Sequence, residues 1–183
     1  ENNLLINLIL LFSIYLIIQT VFDFYENFKN RSINLSRVIS HFGFGLLIFF
    51  ISINHIFSIE NNFNAKLGDN KKIEDYNIKF KNLEVLQKKN YKSVIGHFEI
   101  INNEKLIKEN LKPEIRIYNQ PNILTSEADI KSNFFEDKFI VFSILNREEI
   151  FNVRYQVKRF MIWIWISVFL IIFGGLIRLL RTQ

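Results

Sequence analysis

Three long stretches without any charged side chain constrain this chain more than any other feature of its sequence. They cover residues 2–22, 38–59 and 160–177, so each has at least 18 residues. At a rise of about 1.5 Å per residue, a helix of that length crosses a hydrocarbon core of about 30 Å. A buried helix of a soluble protein normally carries a polar stripe, and these stretches carry none. The sequence therefore predicts an integral membrane protein with α-helical transmembrane segments.

Basic residues predict which helix ends face the cytoplasm. They flank the inner ends of the apolar stretches, at Lys29, Arg31, Arg37, Arg178 and Arg181. An excess of Lys and Arg marks the cytoplasmic side of a membrane. The basic residues beside the third stretch favour the opposite orientation; they are Arg154, Lys158 and Arg159.

These features predict three regions. Residues 1–59 would form two transmembrane helices, over about 3–22 and 37–58, joined by a short cytoplasmic loop. Residues 60–157 would form a periplasmic domain. Residues 158–183 would form the final transmembrane helix and a cytoplasmic tail.

The charged middle of the chain predicts an inserted antiparallel β domain, either a small sandwich or an open barrel. Apolar and polar residues alternate there with a period of two, as in Asn77-Ile78-Lys79-Phe80-Lys81. We expect strands at residues 76–85, 91–101, 114–118, 138–145 and 150–157. Gly68-Asp69-Asn70 and Asn102-Asn103-Glu104 are expected to form hairpin turns.

Composition excludes several kinds of chemistry. The chain has no cysteine, so disulfides, thiolate metal sites and thiol nucleophiles are absent. Its net charge is +5, but the basic residues are scattered among acidic ones, so we expect no nucleic-acid partner. Ser93, His97 and Glu99 lie within one predicted strand, a spacing that fits no pairing of nucleophile and base.

His41 is the residue that points most directly to function. It lies in the second apolar stretch, and an ionisable side chain inside a membrane is costly unless it has a role. Its imidazole can ligate haem iron, and Gly43 and Gly45 leave room for a flat macrocycle or a neighbouring helix. A neutral histidine that is hydrogen-bonded to another helix is the structural alternative. His55 lies about 21 Å farther along the helix and cannot share that iron.

Several short motifs occur in a characteristic order along the chain. They are His41-Phe42-Gly43, Pro113-Glu114-Ile115-Arg116-Ile117-Tyr118, Thr125-Ser126-Glu127-Ala128, Val153-Arg154-Tyr155-Gln156-Val157-Lys158, Trp163-Ile164-Trp165 and Gly174-Gly175. Together they resemble the carboxyl-terminal part of the CcmF/NrfE family of haem lyase subunits in cytochrome c maturation. The chain departs from the family at Arg159, where the family has proline, and at Ser126, which separates a threonine–glutamate pair.

The resemblance implies a haem-handling function. It implies that His41 is an axial ligand of a b-type haem whose second ligand comes from a portion of the protein upstream of Glu1. The intact protein would help attach haem covalently to apocytochrome c, and this portion alone is not expected to be catalytic. The implied partners are the haem chaperone CcmE, a CcmH-type protein and apocytochrome c. The implied location is the bacterial inner membrane, with the mitochondrial inner membrane as an alternative.

Two alternatives to this function stay open from the sequence. The chain could belong to the related subunit that serves nitrite reductase maturation, or to a non-enzymatic assembly or anchoring subunit whose β domain docks partner proteins. Arg154 and Lys158 are candidates for contacts with haem propionates or partner proteins, because their side chains match carboxylates. Anchoring to lipid headgroups is the structural alternative for both residues.

Overall fold

The computed structural model describes residues 2–29, 34–102, 107–145 and 150–181. Within these residues it contains three helices and ten strands. The helices are α1 (Asn2–Lys29), α2 (Leu35–Phe57) and α3 (Met161–Arg181). The strands are β1 (Ile59–Ala65), β2 (Asn70–Ile73), β3 (Tyr76–Gln87), β4 (Tyr91–Asn102), β5 (Ile107–Leu111), β6 (Glu114–Tyr118), β7 (Leu124–Glu127), β8 (Asp129–Ser132), β9 (Glu136–Ile144) and β10 (Phe151–Arg159).

The chain divides into two compact units. The helical unit comprises Glu1–Ser58, Phe134–Glu136 and Lys158–Gln183. The β unit comprises Ile59–Asn133 and Asp137–Val157. Each unit has its own packing and is described separately.

All three helices are long and apolar enough to cross a membrane. The apolar segments are Leu4–Lys29, Leu35–Phe57 and Met161–Leu180. Many of their large side chains are exposed, including Phe12 at 71% and Phe169 at 67%. Such surfaces suit contact with lipid or with further apolar helices. The predicted membrane fold with three spanning helices is therefore confirmed. Helix α1 continues beyond its charge-free stretch, because the residues that follow lack helix-breaking proline and glycine.

The two glycines after His41 bring α2 close to both other helices. A Cβ atom at Gly43 would lie 2.9 Å from the Leu170 Cβ of α3. A Cβ atom at Gly45 would lie 2.8 Å from the Ile17 Cγ1 of α1. Small residues allow close approach of membrane helices, which lack a hydrophobic driving force between them. Of the two uses that the sequence left open for these glycines, the structure shows packing against neighbouring helices.

The β unit contains two antiparallel sheets around one core. One sheet has the order β1-β10-β9-β8, and the other has the order β2-β3-β4-β6-β7, with β5 also paired to β4. The core is centred on stacked and edge-on rings of Phe80, Phe98, Phe142 and Phe151. Alternate residues of β10 point into it, as the period-two pattern predicts. The predicted antiparallel β domain is thus confirmed.

The strand predictions find the four longest strands and the short strand β6, and they miss five other short strands. All five expected strands are present, as β3, β4, β6, β9 and β10. The five unpredicted strands are β1, β2, β5, β7 and β8, which have seven residues or fewer. They are rich in Asn, Lys, Glu and Asp, residues of low β-propensity, so their pairing partners must stabilise them.

One of the two predicted hairpin turns has a different role. Gly68-Asp69-Asn70 does turn the chain, and Gly68 has a positive φ of 90°. The turn connects β1 of one sheet to β2 of the other, so it crosses between sheets and closes no hairpin. At the second predicted turn, Asn103 and Glu104 lie outside the described residues. The flanking strands β4 and β5 pair antiparallel there, with Asn102 opposite Ile107.

Candidate functional site

His41 presents one nitrogen that is free to act as a metal ligand. Its Nδ1 lies 2.8 Å from the backbone oxygen of Arg37, one helical turn earlier. Because a carbonyl oxygen only accepts hydrogen bonds, Nδ1 must donate and therefore carries the proton of the neutral ring. The lone pair is then on Nε2, and the ring is exposed on the helix surface. A backbone hydrogen bond that fixes the tautomer in this way is typical of ligating histidines.

The ring of His41 lines a cleft between α1 and α2. The cleft has a volume of about 790 Å³, within the usual range for ligand sites. Half of its lining residues are aliphatic or aromatic, and the polar ones besides His41 are Ser13, Gln19, Thr20, Asp23 and Arg37. An apolar ligand with one metal atom and a few polar substituents would match these walls. The site therefore fits a haem, with His41 as the residue that would hold its iron.

This chain supplies one histidine to that cleft. It has three histidines in all. His55 lies exposed in the last turn of α2, and His97 lies on β4 with its Nε2 3.2 Å from Glu84 Oε2. Neither lines the cleft with His41. A six-coordinate iron at this position would need its second strong ligand from another segment.

Arg154 and Lys158, the two predicted contact residues of β10, have different surroundings. Arg154 is exposed, and its Nε donates to Asn62 Oδ1 at 3.0 Å and lies 3.9 Å from Glu60 Oε1. Lys158 is half-buried and makes no ion pair with any described residue. Arg159, at the family's proline position, forms an ion pair with Glu136, which is buried.

The motif residues Glu114 and Arg116 form a brace on β6. Arg116 Nη2 donates to Glu114 Oε2 at 3.0 Å, and its guanidinium lies 5.3 Å from the centre of the Tyr91 ring. Burial is the largest influence and by itself would raise the pKa of Glu114. The hydrogen bonds and positive charges around the carboxylate, those of Arg116 foremost, together outweigh burial and hold that pKa below its ordinary value of 4.5. The same bond raises the pKa of Arg116. Alternate residues of a strand share a face, and this pair is therefore a structural ion pair.

Sequence reasoning missed two charged residues of the cleft. The sequence indicates Arg37 only as a topology signal, and Asp23 falls in the short loop predicted after residue 22. Both line the cleft together with His41. The spacing of four residues between Arg37 and His41 places both on one helix face, and that signal was available from the sequence.

The fold and the cleft define an integral membrane protein with a β-sandwich and one histidine-bearing site between its first two helices. Residues 56–159 match the family model described as "CcmF C-terminal beta-sandwich". The chain belongs to this family.

Curated relatives and a solved structure agree with this membership. The chain is 30% identical over 139 residues to the cytochrome c-type biogenesis protein ccl1 of Rhodobacter capsulatus, covering 76% of the chain and 21% of the relative. It is 25% identical over 140 residues to the cytochrome c-type biogenesis protein CcmF of Escherichia coli, covering 76% and 22%. A solved structure named cytochrome c haem lyase CcmF matches 96% of the chain and 34% of its own length, with a TM-score of 0.64 and 14% identity, and shows the same fold.

The chain spans about a fifth of the length of these curated relatives. The family resemblance that the ordered motifs predict is confirmed over most of the chain.

Proposed function

We propose that this chain is the carboxyl-terminal part of a haem lyase that helps attach haem covalently to apocytochrome c. The observation that carries the proposal is the geometry of His41. Its Nδ1 donates to the helix backbone, which leaves Nε2 as the nitrogen that can ligate a metal, and the residue lines a cleft of ligand size. Family membership gives this arrangement a context in cytochrome c biogenesis.

Within this function, His41 is the axial ligand that this chain contributes to a b-type haem. In this proposal the second axial ligand comes from the upstream portion of the protein, as the family resemblance implies. The other two histidines of this chain, His55 and His97, do not line the cleft. A bound haem supplies a redox-active iron that can keep the haem being attached in its reduced state. The residues of this chain hold and orient the group and exclude water from it.

We also propose a location and partners. The protein lies in the bacterial inner membrane with its β unit in the periplasm, or in the mitochondrial inner membrane. Its partners are the haem chaperone CcmE, a CcmH-type protein and apocytochrome c. Arg154 and Lys158 contact carboxylates of arriving haem or of a partner protein, for which their cationic side chains are suited.

The alternatives predict different behaviour. A subunit for nitrite reductase maturation would bind the same haem but serve a different apoprotein. An anchoring subunit would bind no haem, and its activity would not depend on His41. A histidine that lines the cleft and whose Nε2 is left free by the Nδ1 hydrogen bond favours a haem-binding role over anchoring alone.

Replacement of His41 by alanine tests the proposal. In the intact protein, including the upstream portion, His41→Ala should abolish the sharp reduced α band of b-type haem, because a six-coordinate low-spin haem needs two strong axial ligands. The variant should still insert, since alanine favours a helix and removes a polar group from a membrane-spanning segment. Reduced-minus-oxidised spectra measure the band, and immunoblots of membranes measure insertion.

The matched control is His55→Ala, which removes an exposed histidine from the same helix outside the cleft. It should retain the band. Full haem occupancy with an unchanged spectrum in the His41→Ala protein would refute the ligand assignment. Full cytochrome c maturation without any bound haem in the parent protein would favour the anchoring alternative.

A further inference from the structure

The cleft beside His41 is polar at one end and apolar along the rest of its length. Helices α1 and α2 are consecutive and joined by a few residues, so the end of α1 lies near the start of α2. The polar end contains Gln19 and Asp23 from α1 and Arg37 from α2. The rest of the wall is lined by apolar side chains such as Ile9, Phe12 and Ile48. The cleft thus suits an elongated or planar ligand that is charged at one edge only.

Arg37 is a cation of the cleft without an anionic partner in the part of the chain that the structure describes. No described carboxylate lies within 4.0 Å of its guanidinium. Asp23 shares the cleft, but its Oδ1 accepts a hydrogen bond from Gln19 Nε2 at 3.3 Å. Arg37 is exposed at the start of α2, so its side chain is accessible to a ligand. A guanidinium binds carboxylates with two parallel hydrogen bonds. The arrangement favours an anionic group of a ligand at this end of the cleft.

Arg37 is also fixed in position relative to His41. The two residues are four apart on α2, which places them on one face and about 6 Å apart along the helix axis. The hydrogen bond from His41 Nδ1 ends on the backbone oxygen of Arg37 itself. The backbone positions of the two residues therefore belong to one helical turn. A ligand that binds one of them lies within reach of the other.

We infer that Arg37 binds the carboxylates of the tetrapyrrole that His41 ligates, and so determines which edge of the ring faces the polar end of the cleft. The inference rests on the proposed function, because it requires a haem at His41. A haem has two propionate carboxylates on one edge and apolar substituents elsewhere, which matches the polarity of the cleft from Arg37 to Ile9. Arg37 is thus a positioning residue and ligates no iron.

The test compares haem with haem dimethyl ester, in which both carboxylates are neutral. Each is titrated into the intact, haem-depleted protein, and affinity is read from the absorbance of the bound form. The parent protein should bind haem about tenfold or more tightly than the ester, as expected for a charge-assisted pair. Arg37→Gln should lose that preference by binding haem more weakly, while its affinity for the ester and its reduced α band stay unchanged.

Two further variants make the outcome decisive. Lys29→Gln removes the same charge near the same membrane surface but outside the cleft, so it should bind both ligands as the parent does. Arg37→Lys keeps the positive charge for membrane insertion but cannot form bidentate hydrogen bonds. Its preference for haem over the ester should therefore lie between those of the parent and Arg37→Gln. This variant serves as the test if Arg37→Gln fails to insert.

The possible results separate this inference from the proposed function. If Arg37→Gln and Arg37→Lys bind haem and ester with the parent's preference, Arg37 contacts lipid phosphates or water and the inference is overturned. In that case a band that is lost in His41→Ala still supports the proposed function. If the parent binds no haem, or if His41→Ala keeps its band, the proposed function fails and this inference fails with it.

Discussion

Among the described residues of the three helices, most polar side chains form their hydrogen bonds within their own helix. The hydroxyls of Thr20, Ser52 and Ser167 each donate to the backbone oxygen four residues earlier. His41 does the same with its Nδ1. A hydroxyl has one proton and is then satisfied as a donor, whereas an imidazole has a second nitrogen on the opposite side of the ring. That difference makes His41 available for ligation where serine and threonine at other positions are not.

The basic residues of β10 support a prediction at the same scale. Reversal of both charges, as Arg154→Glu with Lys158→Glu, should lower cytochrome c maturation severalfold, because hydrogen bonds to charged groups contribute about 1.5–3 kcal/mol. The amount of protein in the membrane should fall much less. Haem staining of mature cytochrome c and immunoblots of the membrane fraction measure the two quantities.

The control for this pair is Lys71→Glu with Lys72→Glu, the same change of charge on the exposed strand β2. It should leave maturation near the parent level. If maturation and protein level fell in equal proportion in the Arg154 and Lys158 variant, these residues would serve only as anchors.

At the scale of elements, α2 uses different faces for different tasks. Gly43 packs against α3, Gly45 packs against α1, and His41 faces the cleft. The contact with α3 is strengthened by Ser36, whose hydroxyl donates to the backbone oxygen of Gly174 at 2.6 Å. Hydrogen bonds and close packing are the forces that hold membrane helices together. The position of α2 therefore depends on small residues in both α2 and α3.

Two adjacent glycines of α3 provide a matched test of this packing. A methyl group at Gly174 would lie 2.8 Å from the backbone nitrogen of Ser40 and 2.9 Å from the oxygen of Ser36. Gly174→Ala should therefore destabilise the helical unit by about 1–3 kcal/mol through overpacking. Gly175 has no atom within 4 Å of such a methyl, so Gly175→Ala should be neutral or slightly stabilising. Thermal unfolding in detergent, followed by circular dichroism, measures both. Equal unfolding temperatures for the two variants would contradict this packing.

At the scale of the whole molecule, three spans and the positions of the basic residues predict the topology. The connection between α1 and α2 and the end of α3 would face the cytoplasm, because both are rich in Lys and Arg. The β unit would then face the periplasm, since one span separates it from the first connection and another from the chain end. Each span takes the chain to the other side of the membrane. The prediction therefore places the β unit on the side opposite both the α1–α2 connection and the end of α3.

Cysteine labelling tests this topology, and this part of the protein adds no background because it has no cysteine. A cysteine at the exposed position Asn70 should react with an impermeant maleimide added to the periplasmic side. A cysteine at Lys29, which is also exposed, should react only after the membrane is permeabilised. Reaction of both from the same side of an intact membrane would be incompatible with the predicted topology.

Much of the fold could be predicted from the sequence because the relevant signals are local. A charge-free run long enough to span a bilayer is a property of consecutive residues, and so is the period-two pattern of β3, β4 and β10. The pairing of Glu114 with Arg116 is local too, since alternate residues of a strand share a face. The prediction that His41 is a metal ligand is local as well, because it rests on an ionisable side chain within an apolar run.

Tertiary structure alone decided the features that depend on distant residues. The short strands β1 and β8 have little intrinsic preference for strand and exist because β10 and β9 pair with them. Arg154 donates a hydrogen bond to Asn62, a residue 92 positions away, and no local sequence pattern predicts this contact. The cleft likewise exists only once α1 packs beside α2 and brings Asp23 to the same space as Arg37 and His41. The sequence by itself determined the periodic and compositional features. Contacts between distant segments depend on how their packed surfaces fit together, and the periodicity of the sequence does not encode that fit.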